Sequence, residues 1–150
     1  MIDIWGIACK YLLNSANYKK MCLASNKMSS TGLYFSTNAE HAMQYLSEKY
    51  DFIEDHTALS DAEIETEILF YCLKRGKIVQ GIIYFPYKML GETVDFVMGS
   101  RGITEQMAAN VARAMHDYLP DDEMENPNNY QKTVLKKLGA LEAFMEENWG

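Results

Sequence analysis

The chain has few cysteines and few histidines, and each shortage excludes a class of site. The three cysteines, Cys9, Cys22 and Cys72, are odd in number and show no C-x-x-C spacing. They therefore support neither a disulfide framework nor a zinc site. The three histidines are scattered along the chain, at spacings that put no two of them on one helix face as metal ligands. We predict no metal, and unpaired thiols suit a reducing cytoplasm.

Basic residues are also scarce. The chain holds 14 lysines and arginines against 21 aspartates and glutamates, which gives a net charge of −7. Nucleic-acid affinity depends largely on lysine and arginine neutralising phosphates, so no direct nucleic-acid partner is expected. The same charge attracts basic protein surfaces, including a surface that normally holds nucleic acid. A protein is therefore the expected partner.

Targeting segments and long apolar runs are missing as well. The N-terminal region has an aspartate at position 3, no basic segment before its apolar run, and Lys10 inside that run. This pattern does not predict a signal peptide. No apolar stretch approaches the length needed to span a membrane. We expect no membrane association and a cytoplasmic location.

The length and the pattern of β-prone runs predict the fold. A chain of 150 residues that is 48% hydrophobic and 23% charged suits one domain over residues 1–150. Runs typical of strands occur at residues 2–8, 33–35, 77–85 and 93–98, and they alternate with segments of helical spacing. The predicted fold is α+β, with a small mixed or antiparallel sheet of roughly three to five strands packed by about four helices.

Helical spacing is clearest in the second half of the chain. Two apolar stripes predict long helices there: Ile103, Met107, Val111, Ala114 and Tyr118, and then Val134, Leu138, Leu141, Met145 and Trp149. Residues 61–75 follow an S/T-x-x-E capping box and also predict a helix, although residues 67–73 fit a buried strand as an alternative. Residues 14–30 are polar and predict a loop or a short helix.

Residues 31–46 are the segment that indicates a chemistry. Gly32 opens the β-prone run at residues 33–35, which gives way to a helix predicted over residues 38–50. A strand end beside a helix start leaves backbone N–H groups exposed, and such groups suit a phosphate-bearing ligand. A purely structural interpretation stays open, in which Thr37 and Glu40 form a capping box and Gly32 supplies only a positive φ.

A family resemblance favours the chemical interpretation. Gly32-Leu33-Tyr34-Phe35-Ser36, followed by Ala42 and Tyr45, resembles the middle motif of the ADP-ribosyltransferase fold. Ser36-Thr37-Asn38 is similar to the Ser-Thr-Ser sequence of the toxin-like branch of that family. The resemblance covers about sixteen of the 150 residues. It implies a protein that binds NAD and modifies a partner macromolecule, or only binds it.

The resemblance also implies the site residues. Tyr34 would stack on the nicotinamide, Ser36 would contact its ribose, and Glu92 would orient the reaction and stabilise the charge of the transition state. Tyr34 and Glu92 are thus the implied catalytic residues. The implied NAD-binding residues are Tyr34, Ser36, Gly6 and Tyr45. Trp5-Gly6 lies where the family has Trp-His-Gly, so the missing histidine puts enzymatic activity in doubt.

A second interpretation needs no enzyme. The chain would be a small acidic interaction protein, such as an inhibitor encoded by a phage or mobile element, which blocks a basic nucleic-acid-binding site on a target protein. Acidic residues cluster at positions 121–125 and 142–147, and exposed tyrosine and methionine would supply the apolar contacts. The two interpretations differ in whether the protein binds NAD.

Overall fold

The computed structural model describes residues 4–49, 52–75, 90–120 and 125–150, and the regular structure in these ranges is helical. The helices are α1 (Ile4–Tyr11), α2 (Ala16–Ala24), α3 (Ala39–Ser47), α4 (Ala58–Leu73), α5 (Thr93–Gly99), α6 (Glu105–Tyr118) and α7 (Asn129–Trp149). Pairing between extended segments in these ranges is limited to two isolated bridges, Met28 with Phe35 and Tyr34 with Glu92. The predicted α+β fold is therefore wrong for the described part of the chain.

Two segments predicted as strands are helices. The first, residues 2–8, contributes Ile4 to Ala8 to α1, in which Gly6, Ile7, Ala8 and Cys9 are all buried. A short apolar run that is buried on most sides has the same pattern as a buried strand, so periodicity alone does not separate the two. The second, residues 93–98, is α5, because burial of Thr93, Val94 and Val97 outweighs the weak β preference of such residues. The strand predicted at residues 77–85 lies outside the described residues.

The run at residues 33–35 is extended, but within the described residues it belongs to no sheet. Phe35 bridges Met28, and Tyr34 bridges Glu92 just before α5. Gly32 has a φ of +76°, as its predicted structural role requires. This segment is therefore a strap across helices, and its pairing with other described residues is limited to these two bridges.

Helix α3 is shorter than the predicted helix over residues 38–50, and it is capped by a different residue. Asn38 is the N-cap, and its Oδ1 accepts a hydrogen bond from the Glu40 backbone N–H at 2.7 Å. The Glu40 carboxylate accepts from the Glu54 N–H at 2.8 Å and does not reach back to the cap. The predicted Thr37–Glu40 capping box is therefore wrong.

The predicted helix at residues 61–75 is confirmed, and the alternative strand at residues 67–73 is excluded. Helix α4 begins earlier than predicted, at Ala58, because the Thr57 side chain accepts from the Ser60 N–H at 3.1 Å. The two long helices predicted near the C-terminus are also confirmed as α6 and α7. Helix α2 is the short helix that residues 14–30 allowed.

The chain divides into two compact units. The first contains Met1–Lys19 and Ser36–Leu90, and the second contains Lys20–Phe35 and Gly91–Gly150. In the first unit α4 packs on both α1 and α3, and in the second α5, α6 and α7 pack on one another. The boundary falls within α2, and the prediction of a single domain stays a prediction. Across the described ranges, every helix is too short or too polar to cross a membrane.

A close approach at Gly32 holds the strap in the second unit. A Cβ placed on Gly32 would lie 2.9 Å from Cγ and 3.1 Å from the backbone N of Met115 in α6. The Gly32 carbonyl accepts from the Thr93 hydroxyl at 2.6 Å, and the Leu33 carbonyl accepts from the Thr93 N–H at 2.9 Å. The glycine of the family-like motif is thus used for packing the strap against α5 and α6.

Candidate functional site

The residues predicted to bind NAD are divided between the two units. Gly6, Ser36 and Tyr45 belong to the first unit, while Tyr34 and Glu92 belong to the second. Tyr34 and Glu92 are neighbours through their isolated bridge, and Gly6 is buried within α1. The roles assigned to these residues stay predictions, and the strands that would carry Gly6 and Glu92 in the family are absent from the described residues.

The Glu92 carboxylate is held by an ion pair. The Lys137 ammonium group on α7 lies 2.8 Å from Glu92 Oε2 and 2.9 Å from Asp95 Oδ1 on α5. The hydrogen bond to Glu92, followed by the bond to Asp95, raises the pKa of Lys137. This arrangement ties the beginning of α5 to α7. A carboxylate engaged in this way has a structural role, which the sequence pattern did not predict.

Ser36 lies at the centre of a polar cluster in the first unit. Its hydroxyl shares a hydrogen bond of 2.6 Å with His41 Nδ1 and accepts from the Asn38 N–H at 3.2 Å. Its carbonyl accepts from the Tyr18 hydroxyl at 2.7 Å. The fully buried Tyr18 ring meets the Tyr45 ring edge to face, with centroids 5.4 Å apart. The cluster fixes the path of the chain into α3.

A serine hydroxyl bonded to a histidine is also the arrangement of a nucleophile and its base. Ser36, however, is 9% exposed, and its hydroxyl already accepts a backbone N–H. A substrate would have to displace that bond. The geometry therefore favours a structural role. The sequence pattern did not predict a role for His41. Its spacing of five residues from Ser36, across the start of a helix, is the feature from which this contact could have been predicted.

The outer face of α4 carries large apolar side chains in solvent. Leu59, Phe70 and Leu73 are 72%, 59% and 50% exposed. Thr66, which is also exposed, Phe70 and Leu73 follow Leu59 by 7, 11 and 14 residues. Residues at these spacings lie on the same side of an α-helix. The opposite side is buried through Ile64, Ile68 and Cys72. We call the side formed by Leu59, Thr66, Phe70 and Leu73 the outer α4 face. Ile53, just before the helix, is 79% exposed as well.

The outer α4 face lies in the most acidic part of the chain. Residues 51–73 contain seven aspartates and glutamates and no lysine or arginine, so this stretch alone equals the net charge of −7. Glu63 and Glu67 are exposed beside the apolar residues. The carboxyl of Glu54 lies among acidic groups, and burial followed by a hydrogen bond with Asp61 raises its pKa. The sequence prediction placed acidic surfaces at residues 121–125 and 142–147 and did not include this stretch. Residues 121–124 lie outside the described residues, so that part stays a prediction.

An apolar pocket lies on the inner side of α4 in the same unit. Its volume is about 110 Å³. It is lined by residues of α1, α3 and α4 and by one residue each from the segments after α1 and before α3: Ile4, Trp5, Ala8, Leu13, Thr37, Ala39, Ala42, Glu65 and Ile68. Trp5 is 46% exposed and Glu65 is exposed, so these two side chains stand at its mouth. A pocket of this size suits one apolar group.

Titratable groups elsewhere form a more open groove. Between α6 and α7, Glu105, His116, Glu142 and Glu146 line a space of about 360 Å³, and His116 Nε2 lies 3.5 Å from Glu142 Oε1. In the part of the chain that the structure describes, no group of three such side chains could hold a metal ion.

The three cysteines are buried and form no disulfide, and burial raises the pKa of Cys72 to about 11.

Comparison of the chain with protein families, curated proteins and solved structures found no match. The resemblance to the ADP-ribosyltransferases therefore stays a prediction made from residues 32–45 alone. The helices at residues 4–11 and 93–99 stand where that resemblance needs strands. The described residues thus fit an NAD site poorly, and the outer α4 face is the better candidate for a functional surface.

Proposed function

We propose that this chain is a non-enzymatic acidic interaction protein that binds a basic, nucleic-acid-binding surface of a target protein and blocks it. The outer α4 face lies at the centre of the contact, and the protein acts in the cytoplasm. The observation that carries the proposal is the exposure of Leu59, Phe70 and Leu73 within a stretch that has seven acidic residues and no basic residue.

The apolar residues would supply most of the affinity. Interfaces have a centre enriched in aromatic and large apolar side chains, and charged groups stand around its rim. Removing a leucine or phenylalanine side chain from water contributes about 1.5–3 kcal/mol. Leaving Leu59, Phe70 and Leu73 in solvent is unfavourable for a single protein but useful in a complex. Exposed apolar patches of this kind are typical of protein-binding sites.

The acidic residues would select the partner. Glu63 and Glu67 flank the apolar residues, and a field of one sign speeds association with a surface of the opposite sign. Basic surfaces on intracellular proteins commonly hold nucleic acid, because lysine and arginine are needed to neutralise phosphates. An acidic protein seated on such a surface occupies the place of the nucleic acid and also repels it. Both effects lead to inhibition.

A displacement experiment tests the proposal. Proteins from a lysate of the source cells are bound to immobilised double-stranded DNA and washed with the purified chain at constant salt, and the released proteins are identified by mass spectrometry. We expect release of one or a few DNA-binding proteins. The double variant Phe70→Gln/Leu73→Gln should need at least ~10 times more protein for the same release, since loss of a central interface residue costs about 2 kcal/mol.

The matched control changes an equal number of exposed apolar residues elsewhere. Tyr130 and Leu135 on α7 are 66% and 41% exposed, so Tyr130→Gln/Leu135→Gln has the same net charge and the same number of substitutions on a helix. It should release the target as well as the wild type does. Equal loss in both double variants, or release of nothing by the wild type, would contradict the proposal.

A further inference from the structure

The apolar pocket on the inner side of α4 has a feature that an ordinary gap in packing lacks. Its wall is formed by aliphatic side chains such as Ala8, Ala42 and Ile68, while Glu65 places a carboxylate at its mouth. Among the described residues Glu65 makes no ion pair. An apolar recess beside an available negative charge is a binding geometry for a group that is apolar at its tip and positive next to it.

The pocket volume limits the occupant. The free space is about 110 Å³, and an apolar cavity of about 150 Å³ admits a benzene molecule. One branched aliphatic side chain is therefore the expected size. The half-exposed Trp5 ring at the mouth offers a second attractive surface to a cation, because the face of an indole is negative. A guanidinium or ammonium group is thus favoured by both residues that stand at the opening.

We infer that this pocket receives a leucine or isoleucine side chain of the partner, and that the adjacent residue of the partner is an arginine or lysine that pairs with Glu65. The inference rests on the proposed function, since it specifies how a basic partner is recognised. It adds a second contact to the one made by the outer α4 face. The pocket fixes the register of a basic segment, and the outer face supplies area.

The position of Trp5 gives the test its signal. The chain has two tryptophans, and Trp149 lies in the second unit at the end of α7. In a Trp149→Phe background the fluorescence therefore reports on Trp5 alone. Titration with the blocked dipeptide N-acetyl-Leu-Arg-amide should shift the emission in a saturable way at millimolar concentrations.

Two further dipeptides separate the apolar and charged contributions. N-acetyl-Leu-Glu-amide should bind about two- to fivefold more weakly, which is the range expected for one exposed ion pair. N-acetyl-Ala-Arg-amide should give no saturable shift, because alanine leaves the pocket empty. In Glu65→Gln the preference for the arginine dipeptide over the glutamate dipeptide should shrink to the part that the Trp5 ring supplies.

Filling the pocket is the second test. Ala39 is only partly buried at the first position of α3 and lines the pocket, so Ala39→Leu occupies the space with a side chain that a helix accepts. This variant should lose the response to N-acetyl-Leu-Arg-amide. The control Ala62→Leu adds the same atoms at an exposed position of α4 and should keep it. Circular dichroism checks that both variants are folded. If Ala39→Leu does not fold, the dipeptide titrations of Glu65→Gln still test the pocket assignment.

The outcomes separate this inference from the proposed function. An equal response to all three dipeptides, a response that Ala39→Leu leaves intact, or no saturable response at all overturns the pocket assignment. If proteins are still displaced from DNA in that case, only the pocket assignment fails and the blocking function stands. If the dipeptides bind as expected but no protein is displaced, the pocket is a peptide site and the blocking function fails.

Discussion

Replacing Gly32 with alanine should destabilise the second unit far more than an ordinary glycine substitution. A left-handed φ, here +76°, costs a non-glycine residue about 1–3 kcal/mol. The new Cβ would also lie 2.9 Å from Met115 Cγ, 3.1 Å from the Met115 backbone N and 3.3 Å from Ala114 Cβ. Met115 is fully buried in α6, so its side chain cannot turn into solvent to make room, and overpacking of this kind costs about 1–3 kcal/mol.

The structure provides a control that shares the first cost but not the second. Gly91 belongs to the same unit and has a φ of +74°, but its Cβ would have no neighbour within 4 Å. The difference between Gly32→Ala and Gly91→Ala therefore isolates the clash with α6. We expect about 1–3 kcal/mol for that difference, out of a total stability of about 5–15 kcal/mol.

The assay is urea unfolding followed by far-UV circular dichroism, with the free energy of unfolding obtained from the midpoint and the slope. Gly32→Ala should unfold at a clearly lower urea concentration than Gly91→Ala, and Gly91→Ala at a slightly lower one than the wild type. If the two alanine variants unfold together, the close approach of the strap to α6 is wrong. The packing role assigned to the glycine of the family-like motif would then lose its basis.

Three further predictions concern the N-cap of α3, the ion pair of α7 and the NAD hypothesis. Asn38→Ala should lower stability in urea by about 0.5–2 kcal/mol, whereas Thr37→Ala should cost less because Thr37 is not the N-cap; the opposite order would restore the predicted capping box. Lys137→Met should cost about 0.2–1 kcal/mol at neutral pH. The ion pair raises the folded-state pKa of Lys137. Its contribution to stability is therefore complete below the unfolded pKa of about 10.4 and is lost as the pH rises through the folded-state pKa. A difference in stability between the wild type and Lys137→Met that persists above this pH would argue against the ion pair. Calorimetric titration with NAD should give no saturable heat, and a saturable heat that Tyr34→Ala removes would favour the ADP-ribosyltransferase resemblance instead.

Helices with a long amphipathic stripe were predictable from the sequence, and short apolar runs were not. Helices α6 and α7 follow from stripes that repeat over several turns, and each has a side-chain cap, Thr104 or Asn128. Residues 2–8 and 93–98 are too short for the period to be read, so their β-branched and aromatic residues indicated strands. Both segments form helices, because the helical conformation buries their apolar residues. For the described residues, the prediction of a sheet failed because it was built on such runs.

Local signals also gave the right kind of cap at the wrong residue. Thr37 and Asn38 are adjacent, and either residue type can cap a helix. The choice depends on where the chain is fixed before the helix, and here the Ser36 cluster fixes it through Tyr18 and His41. Contacts between residues 18 and 36 are tertiary information. A pattern of neighbouring residues therefore predicts that a helix begins, but not the residue at which it does.

The candidate site was readable from the sequence in part, because α4 is apolar on two opposite sides. Ile64, Ile68 and Cys72 form one stripe, while Leu59, Phe70 and Leu73 form another half a turn away. A helix that is apolar all round is normally buried, yet Glu63, Glu65 and Glu67 lie between the stripes and need solvent. Two apolar stripes separated by acidic residues therefore predict one contact inside the protein and leave the other stripe available for a contact outside it. The inner contact is made with α1 and α3, and the proposed outer contact is a basic protein surface, to which the exposed glutamates are complementary in charge.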